Sequence, residues 1–241
     1  MKQNEAVIYT IERLGGIATL GQLYREVFKI NECNWKTKTP FASIRRIVQQ
    51  DKNIYKIKPG LYALVKYRTV LEQEGIVAES QNNIVNVEFN HSYYQGLLVE
   101  IGKMKEMITY IPPQDKNKLF INTPLKDLTS IEKIFDFTYP QLVDRAKTID
   151  VIWFNERKLL SSVFEIEHST DIQNSLLKFN DLQDFNTKFY IVSSEVRKEE
   201  FVKKLSYSSF KSLKDRVFFI DYKYISDLHS RMSELNSIKQ L

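Results

Sequence analysis

The chain has 241 residues but a single cysteine, Cys33, which excludes an intramolecular disulfide and a cysteine-cluster zinc site. Its three histidines, His91, His168 and His229, are scattered, and no pair shows metal-ligand spacing. The seven glycines form no phosphate-cradling loop, so a P-loop motor is excluded. No serine or cysteine stands in a recognisable nucleophile setting. Apolar runs are strand-sized, too short to span a bilayer. The opening Met1-Lys2-Gln3-Asn4-Glu5 leads into a charged amphipathic segment and not an apolar signal core. A soluble cytoplasmic protein with no membrane partner is expected, long enough for two modest domains or one large one.

Acidic residues are scarce only at the front. Residues 1–70 hold 13 Lys/Arg against 5 Asp/Glu, an excess of +8; the remainder holds 22 against 25, a balance of −3. A basic front end suggests a first domain that meets a polyanion, although solvated faces are often lysine-rich as well.

In that front end, Val7, Ile8, Ile11 and Leu14 fall at helical spacing and stop at Gly15-Gly16, a helix-ending signal. Thr19 can cap a second helix, and Thr39-Pro40 can open a third. The third helix buries Phe41, Ile44 and Val48 and presents Ser43, Arg45, Arg46, Gln49 and Gln50 on its other side. Ile54-Tyr55-Lys56-Ile57, the turn Lys58-Pro59-Gly60 and Leu61-Tyr62-Ala63-Leu64 read as a hairpin. Three helices and a hairpin make a winged helix-turn-helix over residues 1–68. Trp35, Lys38-Thr39-Pro40, Ser43-Ile44-Arg45-Arg46 and the closing Pro59-Gly60-Leu61-Tyr62-Ala63-Leu64 resemble the HARE-HTH type of winged helix, found in bacterial restriction systems and eukaryotic chromatin factors. The physical case agrees, since Arg and Gln make bidentate contacts with guanine and adenine edges, and Lys56 and Lys58 on the wing can meet phosphates. Double-stranded DNA is the expected partner; the alternative is a winged helix used for protein contacts.

Residues 69–88 read as a connector, with Gln73-Glu74-Gly75 and Ser80-Gln81-Asn82-Asn83 as polar punctuation. A second domain, 89–241, begins with a helix from about Ser92 to Ile108, on which Tyr93, Leu97, Glu100 and Met104 share a face. A strand near Lys118–Ile121 follows, then two strands around Ile149–Phe154 and Val163–Thr170, a helix from Asp171 to about Asp184, and a strand at Phe189–Val192. A charged helix over Glu195–Leu205, a strand over Val217–Ile220 and a C-terminal helix complete it. The order predicts an α/β (α+β) fold with a mixed sheet flanked by helices.

Along the strand after Asn155-Glu156-Arg157-Lys158, Glu165 and Glu167 share one face while Phe164 and Ile166 take the other. With Asp150 they form three carboxylates able to converge, and buried carboxylates need compensation, for which a hard divalent cation is the usual means. Alternatively, Asp150 caps a strand and the two glutamates lie on an exposed face, paired with Lys or Arg. Asp150, fourteen residues, then Glu165-x-Glu167 resembles the PD-(D/E)xK nuclease motif of restriction and repair nucleases, with Glu167 where the family pattern has Lys. The resemblance implies a Mg²⁺-dependent endonuclease, with Mn²⁺ as a substitute, in which Asp150 and Glu165 bind metal. Glu167 is then a further ligand or a base, and Glu100 completes the acidic cluster. Lys178 or the metal itself replaces the missing cation. A helix–sheet order of α-β-β-β-α-β matches that superfamily's core. Arg145, Lys147 and His168-Ser169-Thr170 could touch DNA, or simply be solvated and capping residues. A homodimer is plausible, because cutting both strands takes two active sites or two binding events. The rival readings are a regulator whose nuclease-like domain has lost catalysis, and a nuclease for RNA or for branched or single-stranded DNA.

Overall fold

The computed structural model describes residues 1–78 and 87–238, so Ser80-Gln81-Asn82-Asn83 of the connector lies outside the described residues. The chain divides into two compact units, Met1–Asn86 with Ser226–Leu241, and Val87–Ile225. The segment from Ser226 on therefore groups with the first unit, whereas the sequence order placed it with the second domain.

The first unit contains α1 (Gln3–Arg13), β1 (Ile17–Thr19), α2 (Leu20–Glu26), α3 (Pro40–Gln50), β2 (Ile54–Lys58), β3 (Leu61–Leu64) and α4 (Arg68–Gln73). Helix α1 stops where Gly16 turns to φ +87° and returns its N–H to the Ile11 carbonyl at 2.9 Å. A Cβ there would fall inside contact distance of the Tyr67 ring. Thr19 and Gln22 form a capping box on α2: Gln22 N donates to Thr19 Oγ1 at 3.1 Å, and Thr19 N to Gln22 Oε1 at 2.8 Å. Pro40 occupies the first turn of α3. The expected hairpin is antiparallel, and β1 joins it to make the order β1-β3-β2. At three residues, β1 is too short to announce itself by alternation. Val7, Ile11, Leu23, Tyr24, Phe41, Ile44 and Val48 form the core.

The second unit contains α5 (Val87–Met104), β4 (Ile108–Tyr110), β5 (Leu119–Phe120), β6 (Thr123–Pro124), α6 (Leu125–Leu128) and α7 (Pro140–Ala146). Next come β7 (Val151–Phe154), β8 (Leu160–Glu167), α8 (Ile172–Asp181), β9 (Lys188–Ser193), α9 (Lys198–Leu205), β10 (Val217–Asp221) and the start of α10 (Tyr222–Ile238). Five strands lie in the order β10-β9-β8-β7-β4. The β4–β7 and β7–β8 pairs are antiparallel, while β8–β9 and β9–β10 are parallel, so the sheet is mixed.

Two expectations change here. The earlier sheet strand that pairs with β7 is β4, while the Lys118–Ile121 segment contributes only the two-residue β5 to a separate small ribbon. Helix α5 ends at Met104, short of Ile108, because Glu106 adopts φ 60° and Met107 N bonds back to the Gly102 carbonyl at 2.9 Å. Gly96 and Gly102 let α5 lie close, since a Cβ on either would strike Phe120 or Trp153. Trp153 Nε1 then donates to the Leu98 carbonyl at 3.1 Å and ties α5 to β7. Among the described residues no helix is long and apolar enough to cross a membrane.

Candidate active site

Strand β8 is buried between β7 and β9, and its alternation puts Glu165 and Glu167, only 3% and 4% exposed, on the side that α8 covers. Asp150 stands just before β7. The antiparallel register opposite Val151↔Phe164 carries it to the backbone of β8, where the Ile166 N–H donates to its Oδ2 at 2.7 Å. Asp150, Glu165 and Glu167 all line a cleft of about 290 Å³, together with His91, His168-Ser169-Thr170, Asp171, Asn174, Ser175 and Lys178.

The two glutamates are held differently. Lys178, projecting from α8, donates to both Glu165 oxygens at 2.8 and 2.9 Å and to the Thr148 carbonyl at 3.0 Å. Ser175 Oγ lies 3.1 Å from Glu165 Oε2, although its single proton points to the nearer Glu167. Burial and the neighbouring Asp150 carboxylate nevertheless push Glu165 up, against the pull of Lys178, to about 8. Glu167 receives the hydroxyls of Ser175 and Thr170, one on each oxygen, and Ser193 donates to its carbonyl. Asp171 caps α8 through a 3.0 Å bond from Gln173 N, so the capping role that was the alternative to DNA contact for Ser169 and Thr170 falls to neither.

On the other side of Asp150 is a group that sequence reasoning missed. His91 Nε2 lies 3.4 Å from Asp150 Oδ1 and 3.8 Å from Asp115 Oδ2. Burial works against its charged form, but the bonds to Asp115 and Asp150 outweigh this and hold the imidazole up to about 10. Gln95 donates to Asp115 Oδ2 at 2.7 Å and to the Asp150 carbonyl at 3.1 Å, and Lys118 pairs with Asp115 Oδ1 at 2.8 Å. Burial opposes the Asp115 charge, yet these donors lower its carboxyl to about 2. The sequence reading began the helix at Ser92; α5 actually starts at Val87, which puts His91 and Gln95 one turn apart on a shared face. That four-residue spacing was the available signal for the pair, while Asp115, on a 3-10 turn, offered none.

Glu100 is not brought to the cleft. It lies about two and a half turns beyond His91, on the opposite side of α5. Arg145 and Lys147 are paired with Asp181 and Asp144, each at 2.6 Å.

In the first unit, the suggested DNA-contacting residues separate into two groups. Arg46, Gln49, Gln50 and Lys56 are exposed, and Ser43 is half-buried, with its hydroxyl on the Thr39 carbonyl at 3.4 Å. Arg45 instead donates to Tyr24 Oη at 3.1 Å and to Glu234 at 2.5 Å. Lys58 is only 4% exposed, so it is not displayed on the wing as expected. The register shift between Lys56 and Lys58 breaks the alternation that would have put both on one face.

Residues 72–240 match the family model described as the Type II restriction enzyme NmeDI C-terminal domain. A curated relative, the type II restriction enzyme NmeDI of Neisseria meningitidis serogroup C, is 28% identical over 157 residues, 61% of this chain and 44% of that enzyme. The chain thus spans less than half the length of this relative. No solved structure matches it.

Proposed function

This chain belongs to the family of the type II restriction enzyme NmeDI C-terminal domain, and from that premise we propose that it is a restriction or defence endonuclease cutting double-stranded DNA with a divalent metal, Mg²⁺ or Mn²⁺. The observation that carries this reading is the convergence of Asp150, Glu165 and Lys178 on one cleft inside the matched residues. The order α5-β4-β7-β8-α8-β9 supports a PD-(D/E)xK-like core. Three helices with an antiparallel hairpin support a winged helix in the first unit, with Arg46, Gln50 and Lys56 as its accessible DNA contacts.

The donor set fits a hard cation: two carboxylates on neighbouring strands, one of them raised by burial and by the other's charge. Asp150 and Glu165 would hold the ion, which supplies an acidified water and a neutralised phosphate. The Ile166 N–H fixes the orientation of Asp150. Lys178 provides the positive charge that the pattern puts at position 167, reaching Glu165 from the following helix. Glu167 positions the 168–171 turn through Thr170, whose carbonyl also accepts from Arg197 at 2.6 Å. A homodimer would supply two such clefts, one for each strand.

A second reading, a DNA-binding regulator that keeps the fold without catalysis, is favoured by the acidic residue at position 167. The test is incubation of the purified chain with plasmid and genomic DNA, unmodified and methylated, with Mg²⁺ or Mn²⁺, beside Asp150→Ala and Glu165→Ala. Discrete metal-dependent fragments lost in both variants are expected. DNA binding without cleavage would favour the regulator.

A further inference from the structure

We propose that His91 and Asp115 join Asp150 in a second cation position, on the α5 side of Asp150, built for an ion that accepts nitrogen. The proposal rests on the metal-dependent reading above and extends it to residues that the sequence pattern does not include.

The geometry is that of a ligand set. His91 Nε2, Asp115 and Asp150 each offer one atom, all within 4.8 Å of one another. Ligands about 2.0–2.2 Å from a shared ion stand about 3–3.6 Å apart at octahedral or tetrahedral angles. From His91 Nε2, Asp150 at 3.4 Å is already inside that range and Asp115 at 3.8 Å just outside it, while the two carboxylates offer oxygens within 4.8 Å of each other. Asp150 Oδ2 is engaged by the Ile166 N–H, which leaves Oδ1 turned toward His91.

The surroundings supply the supports that a metal site needs. Asp115 is oriented by Lys118 on one oxygen and Gln95 on the other, as outer partners orient metal-binding carboxylates. Gln95 is fully buried, and while its amide nitrogen serves Asp115 and the Asp150 carbonyl, its own Oε1 has no hydrogen-bond partner. A buried acceptor left over beside two carboxylates is a place for a water carried by an ion.

A neutral imidazole, its proton released to solvent as the ion binds, changes which ion is preferred. Mg²⁺ favours an all-oxygen shell with several waters; imidazole suits the later first-row ions best, and Mn²⁺, an oxygen-preferring ion at the weak end of that series, takes it more readily than Mg²⁺ does. The position formed by His91, Asp115 and Asp150 therefore selects Mn²⁺ over Mg²⁺, while the position in front of Glu165 is all oxygen.

The test uses Mn²⁺ with the full chain, read by calorimetry and by pulsed electron paramagnetic resonance. The wild type should show ¹⁴N modulation from a coordinated imidazole. His91→Ala and the better-packed His91→Asn should lose that signal and bind Mn²⁺ at least about tenfold more weakly, with a smaller change for Mg²⁺. Circular dichroism checks that each variant folds. Glu165→Gln should keep the ¹⁴N signal; its loss would overturn the separate position. Mn²⁺ bound by wild type without ¹⁴N modulation, or by His91→Asn as tightly as by wild type, would overturn the proposal and leave the nuclease reading standing. A wild type that binds neither ion would overturn both.

Discussion

Replacing Lys178 with methionine removes the only ammonium seen on Glu165 among the described residues and keeps most of the side chain's bulk. The pair is well formed, with both Glu165 oxygens within 2.9 Å of Nζ, and its side chains are 4% and 21% exposed. Taking one partner from a buried pair costs about 3–5 kcal/mol, because the other charge is left uncompensated. Here Lys178 is partly solvated and Glu165 can take up a proton, so the expected loss is about 2–3 kcal/mol. For a unit of this size that lowers Tm by roughly 4–12 °C.

The loss should depend on pH, with a definite sign. Burial, then Asp150, raises Glu165 to about 8, so between the ordinary carboxylate range and that value the folded state holds a proton that the unfolded chain has released. Stability therefore falls as pH rises through that window, and removing Lys178 deepens the fall. Thermal unfolding of wild type, Lys178→Met, Glu165→Gln and the double variant at about pH 5.5 and about pH 8.5 checks this. The deficit of Lys178→Met should shrink at the lower pH, and Glu165→Gln should restore much of it. An equal deficit at both pH values, with no recovery in the double variant, would refute the argument.

Two further perturbations test how elements are held. Trp153→Phe deletes the donor to the Leu98 carbonyl and should cost about 1–2 kcal/mol, read as a lower denaturant midpoint with an unchanged slope. Glu234→Ala releases Arg45, which is now shared between Glu234 and Tyr24. If α3 meets DNA, the full chain should bind duplex up to about fivefold more tightly, the upper end for a partly exposed pair, with a steeper salt dependence; unchanged binding would show that Arg45 does not reach DNA.

The features legible before folding were local. Period-two alternation put Glu165 and Glu167 on one face of β8, and capping chemistry placed α2 after Thr19 and α3 at Pro40. These follow from backbone geometry over a few residues, so they survive any tertiary context. The spacing of Asp150 and Glu165 also marked the cleft, because adjacent antiparallel strands turn a sequence interval into a distance.

The partners of those groups follow from long-range packing. Packing of α8 on the sheet brought Lys178 to Glu165 and Ser175 to Glu167. The close approach of α5, permitted by Gly96 and Gly102, brought His91 rather than Glu100 to Asp150. Helical spacing, the winged-helix resemblance and guanidinium chemistry all point Arg45 toward DNA, yet it meets a carboxylate 189 residues away. A side chain's face can be read from its neighbours in sequence; its charge partner depends on what the folded chain brings against that face.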